Sequence, residues 1–323
     1  MIHKIGILTS GGDAPGMNAA IIGAIKTGIA LHKEMYVVYD GYKGLIDKNF
    51  VKVDGTFAQD KLAMGGTCIK TKRLPEFKED STQLQAVANL KEEGIDALIV
   101  IGGDGSYMGA KKLTEKGINC IGIPATIDND ISSTEVTMGF DTSLNTVVNA
   151  LDNIKVTSSS HNRCAVVEIM GNKCPDLTLY AGIATDADYI LTADNTPNVE
   201  EAVTKMIAEL KEYKKTDPDH VLILVAEKLL DVHALGKRIM AETGFDTRSN
   251  VLGHMQRGGE PTAMERIRAL RMGSYAIELL DNGIGGVCLG TDGDKLVYHD
   301  IYEALKMPRD KHEELYKIHE LIK

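Results

Sequence analysis

The sequence predicts an α/β protein made of two Rossmann-like domains, with mainly parallel sheets flanked by helices. Short β-branched apolar segments alternate with longer helical patterns, which is typical of parallel α/β folds. Glycines or carboxylates directly follow several apolar segments, as expected where parallel strands end and ligands bind. The predicted strands cover residues 4–8, 35–39, 97–101, 118–123, 164–169, 189–191 and 220–226.

The composition indicates a globular protein that binds small molecules. The chain has 323 residues and 43% are hydrophobic, which is enough for two cores. A net charge of −10 argues against nucleic acid as a partner, because phosphate backbones are bound by clustered cations. Five cysteines without a CxxC pair predict buried thiols. The short apolar runs and the absence of a signal-peptide pattern predict no membrane segment and a cytoplasmic location.

The first predicted strand leads into a glycine turn, Gly11-Gly12-Asp13, followed by a helical pattern over residues 19–31. The strand at residues 97–101 ends in the same way, at Gly102-Gly103-Asp104-Gly105-Ser106, with a helix predicted over residues 107–116. Glycines let backbone N–H groups approach phosphate oxygens, and a helix N-terminus favours anions. Either turn alone is equally well explained as a tight strand-to-helix connection. Two such turns favour phosphate binding, with Asp104 as a candidate Mg²⁺ ligand.

The segment Pro124-Ala-Thr-Ile-Asp-Asn-Asp130 follows a predicted strand and is rich in carboxylates. If it stays extended, Thr126, Asp128 and Asp130 project to one side. Two close carboxylates raise the pKa of one of them unless a cation or a substrate proton lies between them. A ligand is therefore expected, although an Asp/Asn turn bonded to its own backbone is an alternative.

The amino-acid sequences of these stretches resemble those of bacterial ATP-dependent 6-phosphofructokinases of the phosphofructokinase A family. The matching stretches follow one another over almost the whole chain: GGDAPGMNA at 11–19, PEF at 75–77, GIDALIVIGGDGSYMGA at 94–110, TIDND at 126–130, TSSSHNR at 157–163 and VLGHMQRGG at 251–259. The resemblance implies an enzyme that transfers a phosphoryl group from Mg-ATP to the C1 hydroxyl of fructose 6-phosphate, giving fructose 1,6-bisphosphate in glycolysis.

The resemblance also implies a domain organisation and an assembly. Residues 1–138 and 256–301 are expected to form the ATP-binding domain, and residues 139–255 and 302–323 the sugar-phosphate-binding domain. The active site is expected in the cleft between them. An allosteric homotetramer with substrate sites shared between subunits is implied as well.

Roles for single residues follow from the same resemblance. Asp128 is expected to accept the proton of the C1 hydroxyl, Thr126 to hold the moving phosphoryl group, and Arg73 to bridge the nucleotide phosphates. The residues expected to bind ATP are Gly12, Tyr42, Arg73, Leu74, Gly103, Asp104, Gly105 and Ser106. Asp104 and Asp130 are expected to bind Mg²⁺.

The sugar phosphate is expected to be bound by Thr126, Ile127, Asp128, Arg163, Met170, Gly171, Asn172, Glu227, Arg248, His254 and Arg257. Arg163 and Arg248 are expected to come from a neighbouring subunit. Read from the residues alone, Arg73 belongs to a solvated loop, Arg248 is a surface charge and His254 is a core histidine, and these alternatives stay open.

The phosphoryl donor is predicted from two small residues. Pyrophosphate-using relatives carry Asp at the position of Gly105 and Lys at that of Ala125, so this chain is expected to use ATP.

The chain also departs from the family pattern. Asn172 stands where the family has an arginine, and Lys173 is a point charge that cannot reproduce a planar guanidinium. The effector site is degenerate, with altered residues at Ile22, Lys26, Lys155, Thr185 and Asp186. These losses leave a weakly active paralogue acting as a regulatory or binding subunit as an alternative. The retained Asp104, Thr126, Asp128 and Asp130 favour an enzyme.

Overall fold

The structure is a computed structural model that describes residues 2–322. These residues form two compact units. The first unit contains the described residues up to Thr142 together with Arg257–Arg309, and the second contains Ser143–Gln256 and the described residues from Asp310 onward. The sequence predicted domain boundaries after residues 138, 255 and 301, and the two units change after residues 142, 256 and 309.

The strands are β1 (Lys4–Ser10), β2 (Glu34–Val38), β3 (Phe50–Val53), β4 (Ala97–Gly102), β5 (Asn119–Thr126), β6 (Met138–Gly139), β7 (Arg163–Ile169), β8 (Tyr189–Leu191), β9 (His220–Ala226), β10 (Thr247–Val251), β11 (Val287–Asp292) and β12 (Lys295–Asp300). The helices are α1 (Met17–Ala30), α2 (Tyr42–Asp47), α3 (Asp80–Glu93), α4 (Asp104–Glu115), α5 (Phe140–Ser159), α6 (Asp176–Ala184), α7 (Val199–Tyr213), α8 (Val232–Thr243), α9 (Ala263–Asp281), α10 (Ile301–Ala304) and α11 (Glu313–Ile322). Short 3₁₀ helices cover Gln59–Lys61, Pro75–Lys78, Lys214–Thr216 and Gly253–Arg257.

The sheet of the first unit has the strand order β12-β11-β5-β4-β1-β2-β3, and β6 also pairs with β5. Its central pairs are parallel, and only the outer pairs β11–β12 and β2–β3 are antiparallel among the described residues. The central strands β1, β4 and β5 are almost entirely buried, as expected for a parallel sheet covered on both faces.

Helices α1 and α9 pack against each other at glycines. A Cβ atom at Gly23 would collide with the carbonyl of Leu270, and one at Gly273 would collide with the carbonyl of Ala20. This close approach keeps the start of α9 beside the start of α1, which follows the first glycine turn.

The described sheet of the second unit has the order β10-β7-β9-β8, and all its pairs are parallel. A buried cluster that includes Phe245, Leu210 and Ile239 covers this sheet. The predicted mainly parallel α/β fold is therefore confirmed. None of the helices in residues 2–322 combines the length and the apolar character of a membrane span.

One strand runs further than the sequence indicated. The predicted strand stops at residue 123, whereas β5 continues through Pro124 to Thr126. It continues because β6 pairs with its end, Ala125 with Met138 and Thr126 with Gly139. The site residues therefore begin on the strand itself.

Candidate active site

The two predicted glycine turns lie side by side in the first unit. Strands β1 and β4 are parallel neighbours whose last residues, Ser10 and Gly102, are paired. The hydroxyl of Ser106 donates a hydrogen bond of 3.0 Å to the carbonyl of Ser10. A Cβ atom at Gly102 would collide with both groups, so only glycine fits there. The backbone groups of both turns therefore meet at the carboxyl edge of the sheet.

The loop that carries Arg73 is anchored to the first turn. Thr71 donates from Oγ1 to the carbonyl of Gly11 at 3.0 Å, and Thr9 donates to the carbonyl of Lys70 at 3.0 Å. Arg73 follows these anchors and is exposed, and Leu74 packs partly against the core. The loop is therefore fixed near Gly11 while the guanidinium of Arg73 faces solvent.

Helix α4 starts at Asp104 and carries the residues predicted to cradle a nucleotide. Gly105 is exposed, and a Cβ atom there would meet nothing within 4 Å among the described residues. The end of the helix that favours anions is thus accessible.

Tyr42, expected to contact nucleotide, lies in the core with 5% exposure. Its ring stacks on Phe77 at 4.2 Å, and its hydroxyl donates to the carbonyl of Ser106. Burial raises the pKa of this hydroxyl well above its usual value. Tyr42 therefore holds the first turn of α4 in place.

Thr126 and Asp128 are nearly buried at the end of β5, with 9% and 8% exposure. The Asp128 N–H donates to Thr126 Oγ1 at 3.2 Å. A Cβ atom at Gly103 would lie 4.0 Å from the Cβ of Thr126, so the second glycine turn faces this residue. Ile127 between them, also predicted to bind the sugar phosphate, is fully buried, so neither its side chain nor its backbone is exposed.

Asn129, to which the sequence assigned no role, fixes this loop. Its backbone is left-handed, with φ of 54°, which asparagine tolerates better than most residues. Its Oδ1 accepts from the Thr137 N–H at 2.9 Å, and Thr137 Oγ1 donates to the carbonyl of Thr126 at 2.7 Å. These contacts lie up to eleven residues apart, beyond the reach of a local pattern.

Asp104 and Asp130 influence each other electrostatically. Partial loss of water around its carboxylate raises the pKa of Asp104, and the negative charge of Asp130 raises it further. No group of three or more His, Cys, Asp or Glu side chains that could hold a metal occurs in residues 2–322. Mg²⁺ at phosphoryl-transfer sites needs only one or two carboxylates, because substrate phosphates and water complete its shell. The pair fits such an ion.

Arg257 lies in the first unit, against the first glycine turn. Its Nη1 donates to the carbonyl of Asp13 at 3.2 Å, and a Cβ atom at Gly12 would lie 2.6 Å from that nitrogen. The guanidinium is therefore beside the residues predicted to bind ATP.

In the second unit, Met170, Gly171, Asn172 and Glu227, predicted to bind the sugar phosphate, lie on the loops after β7 and β9. Glu227 Oε1 accepts hydrogen bonds from the N–H groups of Gly171, at 3.1 Å, and Asn172. The fully buried Gln256 accepts from the Met170 N–H at 2.8 Å and donates to its carbonyl at 3.4 Å. The loop after β7 is thus held in place by both Glu227 and Gln256.

Arg163 and Arg248 share one carboxylate, that of Asp246. Arg163 Nε lies 2.6 Å from Oδ2, and Arg248 Nη1 lies 2.7 Å from Oδ1. The hydrogen bond from Arg163 and the charges of both arginines lower the pKa of Asp246. His254 is exposed and is therefore not a core histidine. The sequence did not reveal Asp246, although it stands two residues before Arg248.

The fold and these loops define a mainly parallel α/β protein with two glycine turns and paired carboxylates at the strand ends. The sequence pattern of the family described as phosphofructokinase matches residues 4–280, so the chain belongs to the phosphofructokinase family. The resemblance seen in the sequence is confirmed.

Similar proteins extend over the whole chain. The ATP-dependent 6-phosphofructokinase of Photobacterium profundum is 50% identical over 319 residues, 98% of each chain. That of Aliivibrio salmonicida is 50% identical over 321 residues, 99% of each chain. The solved phosphofructokinase of Saccharomyces cerevisiae superposes with a TM-score of 0.90 at 31% identity, covering 98% of this chain. This chain spans 50% of the yeast chain.

Proposed function

We propose that this protein is an ATP-dependent 6-phosphofructokinase, which transfers the terminal phosphoryl group of Mg-ATP to the C1 hydroxyl of fructose 6-phosphate. The observation that carries the proposal is the placement of Thr126 and the nearly buried Asp128 beside the glycine turn at Gly103. Relatives with that name are 50% identical over the full length. An aligned base beside a phosphate-binding turn is useful to an enzyme and has no use in a regulatory subunit.

Phosphoryl transfer depends mainly on alignment and on neutralising charge. Asp128 accepts the proton of the C1 hydroxyl. The Thr126 hydroxyl already accepts a hydrogen bond from the Asp128 N–H, so its own proton is directed to an oxygen of the moving group. Asp104 and Asp130 hold Mg²⁺, which when bound neutralises the phosphate oxygens.

The first unit binds ATP. Gly12, Gly103 and Gly105 bring backbone N–H groups to the phosphates, and Arg73 supplies a guanidinium. Leu74 lies beside the nucleotide. Tyr42 and Ser106 position these groups through the contacts already described.

The second unit supplies most of the residues for fructose 6-phosphate. Glu227 Oε1 is engaged by two backbone N–H groups, which leaves Oε2 to accept sugar hydroxyls. Met170, Gly171 and Asn172 line the same loop. His254 and Arg257 bind the 6-phosphate from within the subunit, whereas Arg163 and Arg248 bind the 6-phosphate of a neighbouring subunit in a homotetramer. The cytoplasmic location and the degenerate effector site stay predictions.

The inference that ATP, and not pyrophosphate, is the phosphoryl donor rests on Gly105 and not on Ala125. Gly105 is exposed with open space above it, whereas Ala125 is 1% exposed within β5 and offers no room to a ligand. A coupled assay of the purified protein with fructose 6-phosphate should show turnover with ATP. Turnover with pyrophosphate and none with ATP would reverse the donor assignment, and no turnover with either would support a binding subunit.

A further inference from the structure

Lys228, an exposed lysine of the second unit, contacts Asn172, which is one of the residues proposed to bind the sugar phosphate. Lys228 Nζ donates a hydrogen bond of 2.8 Å to Oδ1 of Asn172. Strands β7 and β9 are parallel neighbours, with Ile169 paired to Ala226. Asn172 and Lys228 therefore lie just beyond the carboxyl ends of adjacent strands. Ligands of open α/β sheets bind at this edge.

The charge of Lys228 is not neutralised by this contact. Among residues 2–322, Asn172 is its hydrogen-bond partner and no carboxylate lies within 4.0 Å of its nitrogen. Other lysines, such as Lys72 with Asp40, form ion pairs. A neutral amide fixes the direction of the ammonium, and two of its three N–H donors remain for an anion.

The backbone at both positions is left-handed, with φ of 58° at Asn172 and 66° at Lys228. Asparagine tolerates this conformation, while a lysine adopts it rarely and with strain. Strained residues of this kind concentrate at ligand sites. Lys48 and Lys70 share this conformation, so the observation that indicates a role for the side chain of Lys228 is its uncompensated charge held beside Asn172.

We infer that Lys228 is a further substrate-binding residue, positioned by Asn172, whose ammonium binds a phosphate oxyanion. The inference rests on the proposed function, because that function supplies the phosphate groups. Glu227 accepts the sugar hydroxyls beside it, and a carboxylate next to a cation complements a sugar phosphate. The oxyanion belongs either to the 6-phosphate of the sugar or to the phosphoryl group in transfer.

The test compares three variants with the wild type in steady-state kinetics with fructose 6-phosphate and ATP. Lys228→Ala should lower kcat/KM for the sugar phosphate by about 10- to 100-fold, as expected for one charged hydrogen bond. Lys228→Arg should retain most of the activity. Lys237→Ala is the control: it removes an exposed lysine from helix α8 of the same unit, and this lysine forms no hydrogen bond or ion pair among the described residues. It should change kcat/KM by less than about twofold.

Calorimetric titration with fructose 6-phosphate in the absence of nucleotide identifies the source of the oxyanion. If Lys228→Ala binds fructose 6-phosphate more weakly and has a raised KM, the oxyanion is the 6-phosphate of the sugar. If binding is unchanged and kcat is lowered, the oxyanion is the phosphoryl group in transfer. Asn172→Gly should move the same parameter by a smaller factor, because glycine tolerates the left-handed backbone at this position and the change removes the positioning contact.

Equal effects of Lys228→Ala and Lys237→Ala would overturn the inference. Turnover of the wild type, measured in the same series, tests the proposed function separately. If the wild type is active and Lys228→Ala has wild-type kinetics, only the role of Lys228 is refuted.

Discussion

The hydroxyl of Ser106 donates a 3.0 Å hydrogen bond to the carbonyl oxygen of Ser10, and this bond joins the two glycine turns. Ser106 is 2% exposed, so the bond is shielded from water. The sequence predicted that Ser106 contacts ATP. The structure uses its hydroxyl, its N–H and its carbonyl for hydrogen bonds within the chain, to Ser10, Gly103 and Tyr42.

Replacing Ser106 by alanine should therefore disturb both turns at once. The lost bond leaves the Ser10 carbonyl without this donor, which costs about 1–3 kcal/mol of stability in urea unfolding. The KM for ATP should rise by about 3- to 10-fold, because the turns are less well aligned. Ser160→Ala is a suitable control, since it removes an exposed bond from serine to the carbonyl of Val156 and should change neither quantity. Equal behaviour of the two variants would contradict the role of Ser106.

The pair Asp104 and Asp130 predicts a specific effect on Mg²⁺ dependence. Asp130→Asn removes a proposed metal ligand, so the Mg²⁺ concentration that gives half-maximal velocity should rise by about tenfold or more. It also removes the like charge that raises the pKa of Asp104, so that pKa should fall. Asp60→Asn, in an exposed pair with Lys61, should leave the Mg²⁺ dependence unchanged. An unaltered Mg²⁺ dependence in Asp130→Asn would exclude it as a ligand.

Glu265 is a fully buried carboxyl in the first turn of α9. Its Oε2 accepts hydrogen bonds of 3.3 Å from both the N–H and the hydroxyl of Thr142, while Oε1 has no hydrogen-bond partner among the described residues. Burial raises the pKa of Glu265 from 4.5 to about 7, against the lowering effect of the backbone hydrogen bonds.

This raised pKa predicts a pH-dependent loss of stability. The folded protein holds a proton that the unfolded chain releases above its lower pKa, so the contribution of Glu265 is complete below pH 4.5 and disappears as the pH rises through about 7. The loss amounts to about 3 kcal/mol. Glu265→Gln keeps a neutral group of the same shape, so from pH 5 to 8 its free energy of unfolding should rise relative to the wild type. Glu260→Gln, exposed and paired with Arg266, should not show this trend. Parallel profiles of wild type and Glu265→Gln would contradict the assignment.

Local patterns predicted the central strands well, because a buried parallel strand is a continuous apolar run. The strands at residues 189–191 and 220–226 have the predicted bounds. The sequence missed β3, β6, β10, β11 and β12. Of these, β3, β10 and β12 are partly exposed strands at the edges of the sheets and β6 has only two residues, whereas β11 is a buried strand that the sequence analysis left unassigned. It also stopped β5 early, because the pairing with β6 involves residues that lie beyond a polar loop.

The candidate site was predictable where its residues are close in sequence and not where they are brought together by folding. The spacing of Thr126 and Asp128 revealed the centre of the site. Asp246, which lies 83 residues from Arg163, has no local signal that connects it to that arginine. The same applies to Lys228, which is 56 residues from Asn172.

Asp128 is proposed to act as the base that takes the proton from the sugar hydroxyl. The most direct test is the kcat of Asp128→Ser in a coupled assay with fructose 6-phosphate and ATP at saturating Mg²⁺. The kcat should fall by about 10²- to 10⁴-fold while the KM for the sugar changes little, because the base acts mainly in the transition state. A variant with nearly wild-type kcat would contradict the claim.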